Sequence, residues 1–311
     1  MGVRKGWLII LIVSGLAAGR ALADPIITGP VMDSQGIISY TVQSDYQYGP
    51  NALRILLPGK LDPDKKYPVL YLLPVAKGPD EDRNTWGDGP GAILGNEGYL
   101  NKHENLAEKY GLICVFPVFD RTPWFGDNVQ DAKVRQESYL LKVVIPFVES
   151  HYPVITESRG RLLLGFSKSG WGAVDLLLRH PDLFGRAAAW DAPLMMDKAG
   201  PWGSGEVFPT QDSFAPYSIP QLLEERASDL KKSRRLILMG YSGFRDHIQA
   251  AHNLMAHLDI PHDYSDGPER VHHWWSGWVP EAVDLLTGDR SGGDGGVSSV
   301  HLSDPLRGNA T

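Results

Sequence analysis

Cysteine is nearly absent: Cys114 is the single thiol in 311 residues. No disulfide can form within the chain, so stability must come from the core. Basic charge is in deficit, with 30 Lys and Arg against 37 Asp and Glu and a net charge of -7. That balance offers no broad positive surface for a nucleic acid backbone, and nucleic acid is excluded as an expected partner. The phosphate-cradling string G-x-x-x-x-G-K-[ST] is also missing. At 42% hydrophobic and 22% charged residues the composition is that of an ordinary globular protein.

The first residues carry Arg4 and Lys5, an apolar run of about a dozen residues and the small-x-small site Ala21-Leu22-Ala23. This pattern predicts a signal peptide over residues 1–23 and a secreted or periplasmic location, with no stable membrane association after cleavage. The run is shorter than the ~20 residues a span needs, and no cysteine follows it to accept a lipid. From Thr287 onward glycine and serine dominate, so residues 288–311 are expected to form a disordered tail. Between them, residues 24–287 suit one large α/β domain without an internal linker.

Within that domain, YPVLYLLP (67–74), LICVFPVF (112–119), RLLLGF (161–166), GRAAAW (185–190) and RRLILMG (234–240) are short apolar runs separated by helical patterns. Buried strands alternating with helices predict a doubly wound, mostly parallel sheet with helices on both faces. Ligands in such folds bind outside the carboxyl ends of the strands. Upstream, ISYTVQSDYQYGPNALRILLPG (38–59) predicts two antiparallel strands around a Tyr-Gly-Pro turn at the edge of the sheet.

Strand RLLLGF runs straight into Ser167-Lys168-Ser169-Gly170, and the helix pattern GAVDLLLRH follows. A serine on a sharp strand-to-helix turn is the setting of a nucleophile elbow, with the Lys168 backbone NH as one oxyanion donor. The usual pattern is G-x-S-x-G, and here Ser169 stands two places after the nucleophile, where a Cβ is penalised if the backbone is strained. The alternative role for Ser167 is that of a helix cap. Acyl transfer also needs a base and a carboxylate, in the chain order serine, acid, histidine. His272 and His273, before the last helix, both satisfy the order. Asp246, after RRLILMG, is the first candidate for the acid, although with Gln249 it also reads as a capping box. Asp191, after GRAAAW, is the second. His247, His252, His257 and His262 recur every five residues, which on a helix places them on different faces, so no metal site and no cofactor are expected.

These motifs together resemble the putative esterase family of the α/β-hydrolase superfamily, which includes esterase D, feruloyl and acetyl-xylan esterases and mycolyltransferases. The resemblance runs from about Ile38 to Leu286 and rests on KYPVLYLLP, RQESYLLKVVIPFVESHYP, GFSKSGWGAVDLLLRHPDLFG and HHWWSGWV. It implies an α/β-hydrolase fold and a serine esterase. Family members carry His-x-Trp-x-x-Trp, which His273, Trp275 and Trp278 reproduce, so the resemblance favours His273 as base and Asp246 as acid. It places the second oxyanion donor in the loop after LYLLP, at Ala76, where Pro74-Val75 replaces the family's polar residue and glycine. Trp86 and Trp275, from a set that also holds Trp124, Trp171, Trp190, Trp202, Trp274 and Trp278, are candidates for holding a small-molecule or polysaccharide ester, because aromatic faces suit sugar rings and aryl acyl groups. Transfer of the acyl group to a sugar, or carbohydrate binding without catalysis, would use the same fold.

Overall fold

A computed structural model describes residues 23–75, 104–240, 242–288 and 298–299. The leader up to residue 22, the Ala76 oxyanion donor, Trp86 and, apart from Gly288 and residues 298–299, the tail lie outside them.

The described strands form one ten-stranded sheet whose spatial order, with strands counted along the chain, is 1-2-3-5-4-6-7-8-9-10. Strands β2 (Ile38–Gln43) and β3 (Pro50–Leu56) are the antiparallel pair expected from the alternating sequence, in register from Ile38 opposite Ile55 to Gln43 opposite Pro50. They are not the edge, because β1 (Ile26–Met32) pairs outside them. Gly29-Pro30 interrupts β1 and nearly all of it is exposed, so it has neither the alternation nor the apolar content by which a strand is recognised. The five apolar runs become β4 (Val69–Leu72), β5 (Ile113–Pro117), β6 (Arg161–Phe166), β7 (Arg186–Trp190) and β8 (Leu236–Met239), all mutually parallel. Strand β9 (His262–Ser265) is also parallel but polar in sequence, and β10 (Ser298–Ser299) adds a short parallel pairing to it.

Period-two alternation divides the strands between two apolar layers. Val69, Tyr71 and Leu163 face one layer, with Trp171, Leu177 and Leu223 from the helices α1 (Ser167–Arg179) and α2 (Ile219–Leu230). Leu70, Leu72, Leu162, Leu164 and Phe166 face the other, with Trp278, Val279 and Val283 at and in α3 (Val279–Thr287). Cys114 is fully buried in this second layer, where desolvation pushes its thiol up to about 12 and keeps it un-ionised. The chain passes from β4 outward to β5 and then back across to β6 on the other side of β4. The crevice of a doubly wound sheet opens where the strand order reverses in this way. Ser167 stands at the carboxyl end of β6, beside that point.

Candidate functional site at the carboxyl end of the sheet

All six residues of β6 are buried, and the strand ends at Phe166 with extended backbone, φ -132° and ψ 162°. At Ser167 the chain reverses hand to φ 53° and enters α1 at once. A positive φ on a residue with a Cβ is uncommon and concentrates at functional turns. Gly165 makes the turn possible, since a Cβ there would lie 2.2 Å from the Ser169 carbonyl oxygen. A Cβ at Gly170 would come within 2.8 Å of the Ala192 methyl.

Ser169, the departure from the usual glycine, is not strained: the positive φ falls on Ser167 alone in this turn. Its fully buried hydroxyl accepts from the Phe166 N–H at 3.1 Å and donates to the Phe166 carbonyl at 2.9 Å. The hydroxyl that ties off the helix start is therefore that of Ser169, and the capping role weighed for Ser167 is already filled. Lys168 follows in the first turn of α1, where backbone amides point out of the helix end and the dipole is positive.

The structure pairs the two residues that the resemblance did not favour. His272 Nδ1 lies 2.6 Å from Asp191 Oδ2, and the carboxylate is fully buried. Asp191 follows β7 directly and also turns with a positive φ, 42°. Its Oδ1 accepts the Phe244 N–H at 2.8 Å, and its own N–H donates to the Met239 carbonyl at 2.8 Å. Gly240 permits this approach, because a Cβ at that position would sit 2.6 Å from the Asp191 nitrogen. The His272 ring packs against Phe166, the residue before Ser167, at 5.0 Å between centroids, and lies 5.9 Å from Trp190 and 5.8 Å from Phe244. Ser167, Asp191 and His272 keep the chain order serine, acid, histidine.

His273 occupies a different environment from the one expected of a base. It is buried, its Nδ1 accepts the Trp275 N–H at 3.3 Å, and its carbonyl accepts from Trp278 Nε1 and Ser276 Oγ, each at 2.9 Å. Burial, then the neighbouring charge of His272, pulls its pKa down to about 4, so the ring stays neutral. The tryptophan spacing that favoured His273 reflects this internal bracing: Trp278 stacks on Trp190 at 5.4 Å and on Trp274 at 5.2 Å. Asp246 stands in the first turn of helix α4 (Arg245–His257), exposed, with its charge acting on His247. It neither caps that helix through its side chain nor reaches a histidine of the 272–273 pair, because the turn after Phe244 directs it to solvent. Both members of the observed pair stood among the sequence candidates, Asp191 as the first residue beyond β7 and His272 by its place before the last helix.

Among the candidate tryptophans, Trp124, Trp171, Trp190, Trp274 and Trp278 are core residues. Trp275 is half-buried against the His273 ring at 4.4 Å. Trp202 is 50% exposed, with φ 51° and its ring edge-on to Phe244 at 5.1 Å. The helical-face argument against a metal does not apply to His262, which lies on β9; His252 Nδ1 and His262 Nε2 are hydrogen-bonded at 2.8 Å. No group of three or more potential ligands converges among the described residues.

Residues 113–259 match the profile of the putative esterase family. A ferulic acid esterase structure superposes with a TM-score of 0.61 at 20% identity, over 81% of this chain and 97% of its own. The fluorophosphonate-binding serine hydrolase F of Staphylococcus aureus gives 0.62 at 18% identity, over 81% and 98%. The S-formylglutathione hydrolase of Agrobacterium tumefaciens gives 0.61 at 14% identity, over 84% and 98%. At such identities the structures establish a shared fold, and the family match adds the chemistry. Residues 113–259, just under half of the chain, carry the putative esterase match, the chain has the α/β-hydrolase fold of these neighbours, and together they support a carboxylic ester hydrolase.

Proposed function

We propose that the protein cleaves its ester through an acyl-enzyme on Ser167, with His272 as the general base and Asp191 as the carboxylate that orients it. The observation that carries this reading is the 2.6 Å contact between His272 Nδ1 and the buried Asp191 carboxylate, with the imidazole packed on the residue preceding Ser167. A carboxylate at Nδ1 fixes the proton there, so that Nε2 takes the proton from the serine hydroxyl and later returns it to the departing alcohol. As the carbonyl becomes tetrahedral, its oxygen gains charge at the positive end of α1, where the Lys168 amide supplies one donor. The second donor is assigned to the loop that leaves β4 through Pro74 and Val75, at Ala76.

The ester is carried by an aryl acid or a carbohydrate, and methyl ferulate and acetylated xylan are the probes to set beside p-nitrophenyl acetate. Reaction with a fluorophosphonate followed by mass mapping tests the nucleophile, since only an activated serine is modified. The adduct is expected on the peptide containing Ser167 and absent from Ser167→Ala. Full labelling of that variant would overturn the assignment.

A further inference from the structure

At the opposite end of the sheet, beneath the amino ends of β6, β7 and β8, lies a cleft of about 730 Å³. Four guanidinium-bearing residues, Arg159, Arg186, Arg234 and Arg235, line it together with a single carboxylate residue, Asp182. Such a concentration runs against the chain as a whole, whose net charge is -7. Asp182 is exposed, so water screens its charge, and the buried Asp263 carboxylate behind the lining pairs with Arg234.

The arginines are held in place by different means. Arg186 donates to the carbonyls of Leu286 at 3.1 Å and Gly288 at 2.6 Å. Arg235 donates to Gly185 at 2.9 Å, to Pro181 at 2.6 Å and to the Phe184 carbonyl. Its three acceptors are neutral, so its charge is fixed and partly desolvated without a carboxylate in hydrogen-bond contact; burial accordingly lowers its pKa, with Asp182 opposing. Arg234 leans on the His262 carbonyl at 2.5 Å and on Asp263 at 3.4 Å. Arg159 is exposed at the rim and has no hydrogen bond or ion pair among the described residues. The Ser158, Ser233 and Thr287 positions add hydroxyls to the lining.

We infer that this cleft is a binding site for a small polyanion, a ligand carrying two or more phosphate or carboxylate groups. Arg235, held by neutral carbonyls, and Arg159 at the exposed rim present their charge to an incoming anion, and a planar guanidinium pairs with phosphate or carboxylate oxygens in the bidentate manner that favours both groups. The site is distinct from the esterase centre. Leu162 lines the cleft near the start of β6 and Ser167 follows the strand's last residue, which places them roughly 17 Å apart at ~3.3 Å per residue. At that separation an anion in the cleft touches none of the residues around the serine.

Calorimetric titration of the full chain with inorganic pyrophosphate, and separately with digalacturonate, tests the inference. Saturable binding of at least one is expected, with a Kd below about 1 mM and weakening as salt is raised. The tighter arm identifies the anion as phosphate or carboxylate. Arg159→Glu places a carboxylate on the rim without removing a structural contact, and is expected to weaken binding by roughly tenfold while fluorophosphonate labelling and the thermal midpoint stay at their wild-type values. Absence of binding in both arms, or binding that Arg159→Glu leaves intact, overturns it.

Discussion

At positions 272 and 273 the chain sets two imidazoles side by side and commits them to different tasks, because consecutive side chains leave the backbone in different directions. His272 meets a buried carboxylate, whereas His273 turns into a loop braced by Trp275 and Trp278. Steady-state hydrolysis of p-nitrophenyl acetate should therefore fall by about 10³-fold or more in His272→Ala, while His273→Ala loses stability before it loses turnover. Asp191→Asn is expected to cost about 10⁴-fold in kcat, since the amide favours the wrong tautomer of the base. Asp246→Asn should stay near wild type, and the reverse ranking would return the acid to α4. Ser169 is the other decisive residue at this scale. Replacing it by Ala removes both hydrogen bonds to Phe166 and leaves a buried N–H unsatisfied, a loss of about 1–3 kcal/mol visible as a lower urea midpoint.

The nucleophile helix α1 is anchored at its far end as well as at the elbow. Glu137 is buried beside its last turn, accepting from Arg179 Nε at 3.0 Å and Nη2 at 3.1 Å and from the Tyr217 hydroxyl at 2.9 Å, and pairing with His180 Nε2 at 2.5 Å. Burial alone would raise its pKa, but the hydrogen bonds from His180 and Arg179 outweigh it and hold the carboxyl down at about 2. A depressed carboxylate stabilises the fold above its ordinary pKa of about 4.5 and loses that contribution as pH falls toward 2. Glu137→Gln leaves the half-buried Arg179 guanidinium without its nearest counter-charge, and urea unfolding at pH 7 should show a loss of about 3 kcal/mol. The gap between wild type and variant should close as the pH approaches 2.

Across the whole molecule, several histidines are held below their ordinary pKa by burial: His247, His252, His262 and His273. Their unfolded forms take up a proton near pH 6.5, while the folded protein resists it. For His273 the unfolded state binds more protons from pH 6.5 down to about 4, so stability falls as pH drops through that window and levels off below it. Thermal midpoints measured at pH 7.5 and 4.5 should differ by less in His273→Ala than in wild type. An unchanged difference would show that the ring is not held neutral in the fold.

Local composition was enough to read the central sheet. Each of the runs from YPVLYLLP to RRLILMG is apolar on both faces, and only a strand covered by helices on both sides accounts for that pattern. The serine turn was legible for the same kind of reason: small residues at 165, 169 and 170 sit where a strand must reverse tightly into a helix. Strands β1 and β9 leave no such signature, because one is exposed and broken by Gly29-Pro30 and the other is polar. Nor could the sequence decide which histidine meets which carboxylate. Asp191 and His272 are separated by 81 residues and join only because β7 and β8 lie side by side and Gly240 lets the chain beyond them close in. Apolar patterning records what each segment buries, whereas the pairing of two side chains depends on the path of the folded backbone, which no local run of residues contains.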